Sequence, residues 1–119
     1  MEPAQGNTLS KAERLSSKKD ISRLIGGGRW GVCDAVKYCY LTPNGLDFNR
    51  IMVSVPKKHF KRAVKRNLLK RRMREAYRTQ KPLCAADKGV DIMFQYDSVE
   101  VLPFASIRDS VAKILKGIK

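Results

Sequence analysis

The sequence predicts an α+β domain, a small sandwich in which helices cover one sheet, and three observations carry that expectation. Apolar and aromatic residues alternate with a period of two in 30–41, 48–55 and 90–96, as half-buried strands require. They recur at helical spacing in 17–25, 61–78 and 104–118, so the element order is helix, strand, strand, helix, strand, helix. A chain of 119 residues with 43% hydrophobic content supports one core, placed in residues 9–119 behind a loose tail over 1–8 that holds Pro3 and Gly6.

Each element follows from local chemistry. Ser10 with Glu13 and Ser17 with Asp20 are capping boxes, a hydroxyl three residues before an acid. The second opens a helix through Ile21, Leu24 and Ile25, which Gly26 to Gly28 should end in left-handed geometry. Trp30 to Leu41 reads as a strand with Val36, Tyr38 and Tyr40 on one face and with Cys33 and Cys39 sharing a face. Pro43-Asn44-Gly45 supplies a turn, and Phe48 to Val55 returns as a central strand through the nearly unbroken apolar run IMVSV. Lys61 to Arg78 contains no Gly or Pro, is rich in helix formers, and is stopped by Pro82. Val90 to Tyr96 is a strand through Ile92, Phe94 and Tyr96, and Phe104 to Ile118 a helix through Ile107, Val111, Ile114 and Leu115. Asp87 and Asp91 flank a Lys-Gly turn as capping and strand-entry residues.

Composition excludes several functions. The three cysteines, Cys33, Cys39 and Cys84, form no CxxC pair and read as reduced structural thiols. The start of the chain lacks a secretory pattern and no stretch reaches the roughly 20 apolar residues of a membrane span, which predicts a cytoplasmic protein with no membrane partner. No protein partner is evident. One histidine, His59, and scattered acids offer neither a metal cluster nor an acid/base pair, so no catalytic or metal-binding residue is assigned.

A net charge of +14 points instead to a polyanion. Eleven of the 25 basic residues fall between Lys57 and Arg78, against a single acid, Glu75. Steps of about 100° per residue put Val64, Leu68, Leu69, Met73 and Ala76 on a core-facing arc and Arg66, Asn67, Lys70, Arg71, Arg74 and Arg78 on the opposite one, with Ala63 and Tyr77. Arg66, Lys70, Arg74 and Arg78 are successive like-charge neighbours whose repulsion costs on the order of 1 kcal/mol in total, with no return in folding. Counterion release on phosphate contact returns far more. Tyr38 and Tyr40 could stack unpaired bases, which favours RNA; DNA stays open.

The segment VPKKHFKRAVKRNLLKRRMREAYR, Val55 to Arg78, resembles the protein subunit of bacterial ribonuclease P. So do Glu13-Arg14-Leu15, the helix from Asp20 to Gly26–Gly28, Arg50 to Val55, and Asp91-Ile92. The resemblance implies a two-layer α/β sandwich like the second domain of ribosomal protein S5, with a left-handed βαβ crossover around the basic helix. It implies a subunit that binds a catalytic RNA and the single-stranded 5′ leader of precursor tRNA and assists endonucleolytic removal of that leader. The RNA would do the cutting and hold the Mg²⁺. The family's basic-helix motif falls on Arg66, Asn67 and Leu68, followed by Lys70, Arg71, Arg74 and Arg78. Its leader cleft falls on Ile21 and Ile25, where many relatives carry phenylalanine, with Tyr38, Tyr40, Lys57 and Lys58. A structural ribosomal protein of similar charge is the competing expectation.

Overall fold

The computed structural model describes residues 11–84, 86 and 88–118; the 1–8 tail, Ser10 of the first capping box and Asp87 lie outside them. Lys11–Glu13 is a 3-10 turn. Helix α1 spans Lys18–Gly27, capped by Ser17, whose Oγ accepts from the Asp20 N–H at 3.5 Å. Its end corrects the expected left-handed stop, because Gly28 caps it in extended geometry at φ −82°. A Cβ at Gly28 would lie 2.6 Å from Cys39 Sγ, so glycine is needed there for close approach to the sheet.

Residues 30–41 form a hairpin rather than one strand, β1 over Arg29–Cys33 and β2 over Val36–Leu41. Asp34 and Ala35 make the turn, with Asp34 at φ +54° in the left-handed region that Asp tolerates. Its carboxylate accepts from Ser110 Oγ at 3.4 Å. The turn inverts parity: Trp30 pairs with Cys39, and Gly31 with Tyr38. Cys33 and Cys39 therefore join different apolar clusters on opposite faces, against the shared face expected of a single strand.

Strand β3, Arg50–Ser54, is an edge strand and not the central one. Its outer edge is closed by residues 14–15, where the Leu15 N–H donates to Ile51 O at 2.7 Å. The strand beside β3 in the sheet interior is β4, Asp91–Tyr96, buried at every residue but Gln95. Sheet order is β1-β2-β4-β3, antiparallel except for the β3/β4 pair. That parallel pair is joined by the crossover carrying α2, Ala63–Arg78, and α3, Phe104–Gly117, ends the fold.

Helices α2 and α3 pack together over one sheet face, around Val36, Ile51, Ile92, Phe94 and Tyr96. Helix α1 covers only part of the other, through Leu24 on Cys39 and Met93, with Ile21, Leu41 and Met52 around them. The α+β sandwich thus has one complete helical layer and one sheet face left partly open. No helix among the described residues is long and apolar enough to cross a membrane.

A buried polar knot fixes α1 to the sheet. Asp91, fully buried, accepts from Arg50 Nε and Nη2 at 2.9 and 2.8 Å and from Asn44 Nδ2 at 2.9 Å. The third arm of Arg50 donates to Asp20 Oδ2 on α1 at 3.0 Å. Arg23 of α1 donates to the Asn44 carbonyl at 3.2 Å. Three other segments, α1, the turn at Asn44 and β3, thus meet around one carboxylate of β4.

Tyr77, 1% exposed, packs its ring 6.3 Å from that of Phe94, and burial pushes its phenol up to about 12. An unfolded tyrosine ionises near pH 10, so the folded state keeps its proton where the unfolded state loses it. Stability attributable to this group is full below pH 10 and falls between about pH 10 and 12, by on the order of 2 kcal/mol. Urea unfolding across that range should show the loss in the natural chain and a flatter profile in Tyr77→Phe; equal profiles would exclude Tyr77 as the source.

Candidate nucleic-acid interface

Helix α2 carries seven basic residues and one acid and has no side-chain cap at its N-terminus, Arg62. Cations in its first turn oppose the helix dipole, so the arrangement is not made for helix stability. Its buried residues are Leu69, Met73, Ala76 and Tyr77. The core-facing arc is therefore rotated from the expected one: Tyr77 enters the core, Val64 is 78% exposed, and Leu68 is only half-buried. Apolar character limited which residues could be buried, and packing on α3 and β4 selected among them.

The outward face holds Asn67, Lys70, Arg71 and Arg74, which with Val64 and Leu68 line a shallow depression of about 600 Å³. Arg74 also borders a second, of about 250 Å³, between β3 and residues 14–16. Arg14, exposed, faces Arg74 across it, a basic residue that charge counting along α2 could not find. Among the described residues, Asn67, Lys70, Arg71 and Arg74 have no hydrogen-bond or ion-pair partner.

The other two predicted basic contacts are differently placed. Arg66 Nη1 donates to the Phe60 and Lys61 carbonyls at 2.8 and 2.7 Å and so holds the loop that leads into α2. Arg78 pairs with Glu75 through Nε at 2.8 Å and Nη2 at 2.6 Å. That pairing, with the field of Arg71, holds the Glu75 carboxyl below its ordinary range. Arg72, not among the predicted contacts, donates to Leu102 O in the connection before α3.

The predicted leader cleft is divided by the sheet. Ile21 and Ile25 stand on the α1 side, Ile21 half-buried on the small cluster and Ile25 45% exposed. Tyr38 and Tyr40 point to the opposite face, packed against the main core with their rings 6.4 Å apart. Parity decides this, since Cys39 is the β2 residue beneath α1. The Tyr38 ring lies across Gly31, where a Cβ would meet its hydroxyl at 2.4 Å. The two tyrosines are sheet-packing residues and leave the cleft.

What remains on the open face is a cross-strand row, Val32, Lys37, Gln95 and Ser54, in paired register. Lys57 and Lys58 follow, exposed, just beyond β3. The acids are mostly occupied: Asp20 and Asp91 with Arg50, Glu75 with Arg78, and Glu13 with Lys81 at 2.8 Å. Among the described residues no three His, Cys, Asp or Glu side chains group to hold a metal ion.

Residues 9–119 match the family model described as Ribonuclease P. A ribonuclease P protein component of Petrotoga mobilis is 32% identical over 121 residues, covering 97% of this chain and 98% of its own length. One from Porphyromonas gingivalis is 42% identical over 77 residues, covering 63% of this chain; the match spans just over half of that relative, 56%. Among solved structures, the ribonuclease P protein of Thermotoga maritima superposes with TM-score 0.77 at 26% identity, covering 90% of this chain and 98% of its own. That of Staphylococcus aureus gives 0.76 at 25% identity, covering 89% and 94%.

Proposed function

Because the chain belongs to the ribonuclease P protein family, whose model matches residues 9–119, we propose that it is the protein subunit of a ribonucleoprotein that removes the 5′ leader from precursor tRNA. The observation that carries the reading is the unpartnered cationic face of α2, Asn67 with Lys70, Arg71 and Arg74, held rigidly on the core by Leu69, Met73, Ala76 and Tyr77. A fixed array of guanidinium and ammonium groups suits a folded RNA, whose phosphates have fixed spacing, and gains affinity by releasing counterions. This face would grip the catalytic RNA.

The leader would lie across the open sheet face beside α1, with Lys57 and Lys58 at one end. Cleavage would belong to the RNA, which would hold Mg²⁺ through its own phosphates; among the described residues Glu13, Asp20, Glu75 and Asp91 are tied in ion pairs with the chain's own cations. The protein's part is to hold the two RNAs in register and supply cations that lower the Mg²⁺ they require.

The test is reconstitution with a catalytic RNA, assayed on precursor tRNA with and without its leader. The chain should raise affinity for the leader-bearing substrate and leave the leaderless one nearly unchanged, and the chain alone should produce no mature 5′ end. Lys57→Ala with Lys58→Ala should lower leader-dependent affinity and flatten its salt dependence by about 0.7 per lost phosphate contact. Correct maturation by the chain alone would overturn the assignment of chemistry to RNA, and an unaltered salt slope would remove the lysines from the leader path.

A further inference from the structure

Resting on the reading that a single-stranded leader crosses the open sheet face, we propose that Trp30 is the platform on which an unpaired leader base stacks, with Lys37 neutralising the adjoining phosphate. Neither residue follows from the basic helix. The inversion at Asp34-Ala35 puts Trp30 on the α1 side, directly opposite Cys39. Of the rings carried by the strands, Tyr38, Tyr40, Phe94 and Tyr96 all pack against the main core on the other face, which leaves Trp30 alone on this one. It is 46% exposed, and neighbouring Val32 is 59% exposed.

The Lys37 ammonium lies 5.2 Å from the centre of the Trp30 ring. That cation sits over one face of the indole, within reach of the phosphate of a nucleotide whose base stacks on the ring. Trp30, Cys39, Met93 and Met52 form one line across the four strands, with Lys37, Gln95 and Ser54 in the row beside it. Three strand spacings make this line about 14 Å long, from the ring at the β1 edge toward β3 and the Lys57-Lys58 pair beyond it. The result is a track with a stacking surface at one end and cations at the other.

Charge identifies the occupant. An exposed indole beside an open strand edge could also receive a second copy, but each copy brings a net charge of +14 to the contact. Single-stranded RNA supplies π faces for the indole and negative charge for the lysines together. Stacking tolerates any base, so the platform calls for no particular leader sequence.

Trp30 is the only tryptophan in the chain, so its emission reports directly on the proposal. Titrating the full chain with a single-stranded oligoribonucleotide should quench that emission in step with binding, whereas duplex RNA of equal length should leave it nearly unchanged. In the reconstituted holoenzyme, Trp30→Ala should bind leader-bearing precursor about tenfold more weakly, and Trp30→Phe should stay within about threefold of the natural chain. Neither variant should alter affinity for leaderless substrate, and Lys37→Gln should flatten the salt slope by about 0.7. Unquenched emission, or a Trp30→Ala holoenzyme with full leader preference, would overturn the proposal while the leader reading stands. A natural holoenzyme without leader preference would remove both. Emission that follows protein concentration without RNA would assign the ring to a contact between copies and overturn the proposal as well.

Discussion

Replacing Lys70, Arg71 and Arg74 together by alanine will weaken binding to the catalytic RNA by about a hundredfold at 0.1 M salt and flatten the salt dependence by roughly 2 to 3 in log–log slope. The slope is the more telling quantity. Each neutralised phosphate contributes about 0.7 to 0.9, so three lost contacts should be countable, and the affinity gap should close toward molar salt. The three side chains have no hydrogen-bond or ion-pair partner among the described residues, so the substitution takes little from the fold. Two controls separate charge from placement. Arg72→Ala removes a cation engaged with the Leu102 carbonyl and should leave the slope nearly unchanged. Arg66→Ala should act mainly by loosening the loop it holds at Phe60 and Lys61. If the triple variant keeps the natural slope, the RNA contact lies elsewhere.

Arg50→Ala should destabilise the folded chain by about 3–5 kcal/mol, because it leaves Asp91 charged, fully buried and without its bidentate partner. Domains of this size have only about 5–15 kcal/mol to lose, so the variant should sit near unfolding at physiological temperature. Asp20 loses its partner in the same step, which frees α1 from β3. Arg50→Lys restores a charge but cannot span both carboxylates in fork geometry and should recover only part of the loss. Urea unfolding of the two variants decides the matter; a loss under about 1 kcal/mol for Arg50→Ala would show that water or Arg23 substitutes for the guanidinium.

The sequence was most legible where one residue type controls one local decision. Ser17 and Asp20 fixed the start of α1, the absence of Gly and Pro fixed α2, and the alternation of Ile92, Phe94 and Tyr96 fixed β4. The β1–β2 hairpin was hidden because Asp34-Ala35 lacks an Asn-Gly or Asp-Gly pair, and the even-numbered apolar residues on both sides simulate a single strand. From that one unread turn came the wrong partner for Cys39 and the failure to see Trp30, whereas Tyr38 and Tyr40, correctly grouped with Val36 on one face, entered the cleft only through the family resemblance. Strand order was equally unreadable, because IMVSV in β3 is as apolar as a central strand. Its exposed edge is closed by residues 14–15, a long-range contact that no local pattern announces. On α2 charge alone drew the outer face correctly at Asn67, Lys70, Arg71 and Arg74. It could not tell these from Arg66 and Arg78, whose partners lie elsewhere in the fold.

The position of β4 governs the order in which the chain can be made. As the strand between β2 and β3, it is the last of the four to be synthesised, and until it arrives β2 has only β1 beside it and β3 has no strand of the sheet to pair with. A nascent chain that has emerged only as far as Gly89 already carries the cationic helix, yet lacks Ile92, Phe94 and Tyr96, against which that helix packs. Folding must therefore await residues 91–96, and until they arrive an unfolded polycation stands exposed to any RNA nearby. Rapid insertion of residues 91–96 then limits the time for capture by the wrong RNA, and a strand-weakening substitution there would lower the yield of folded subunit before it altered any binding constant.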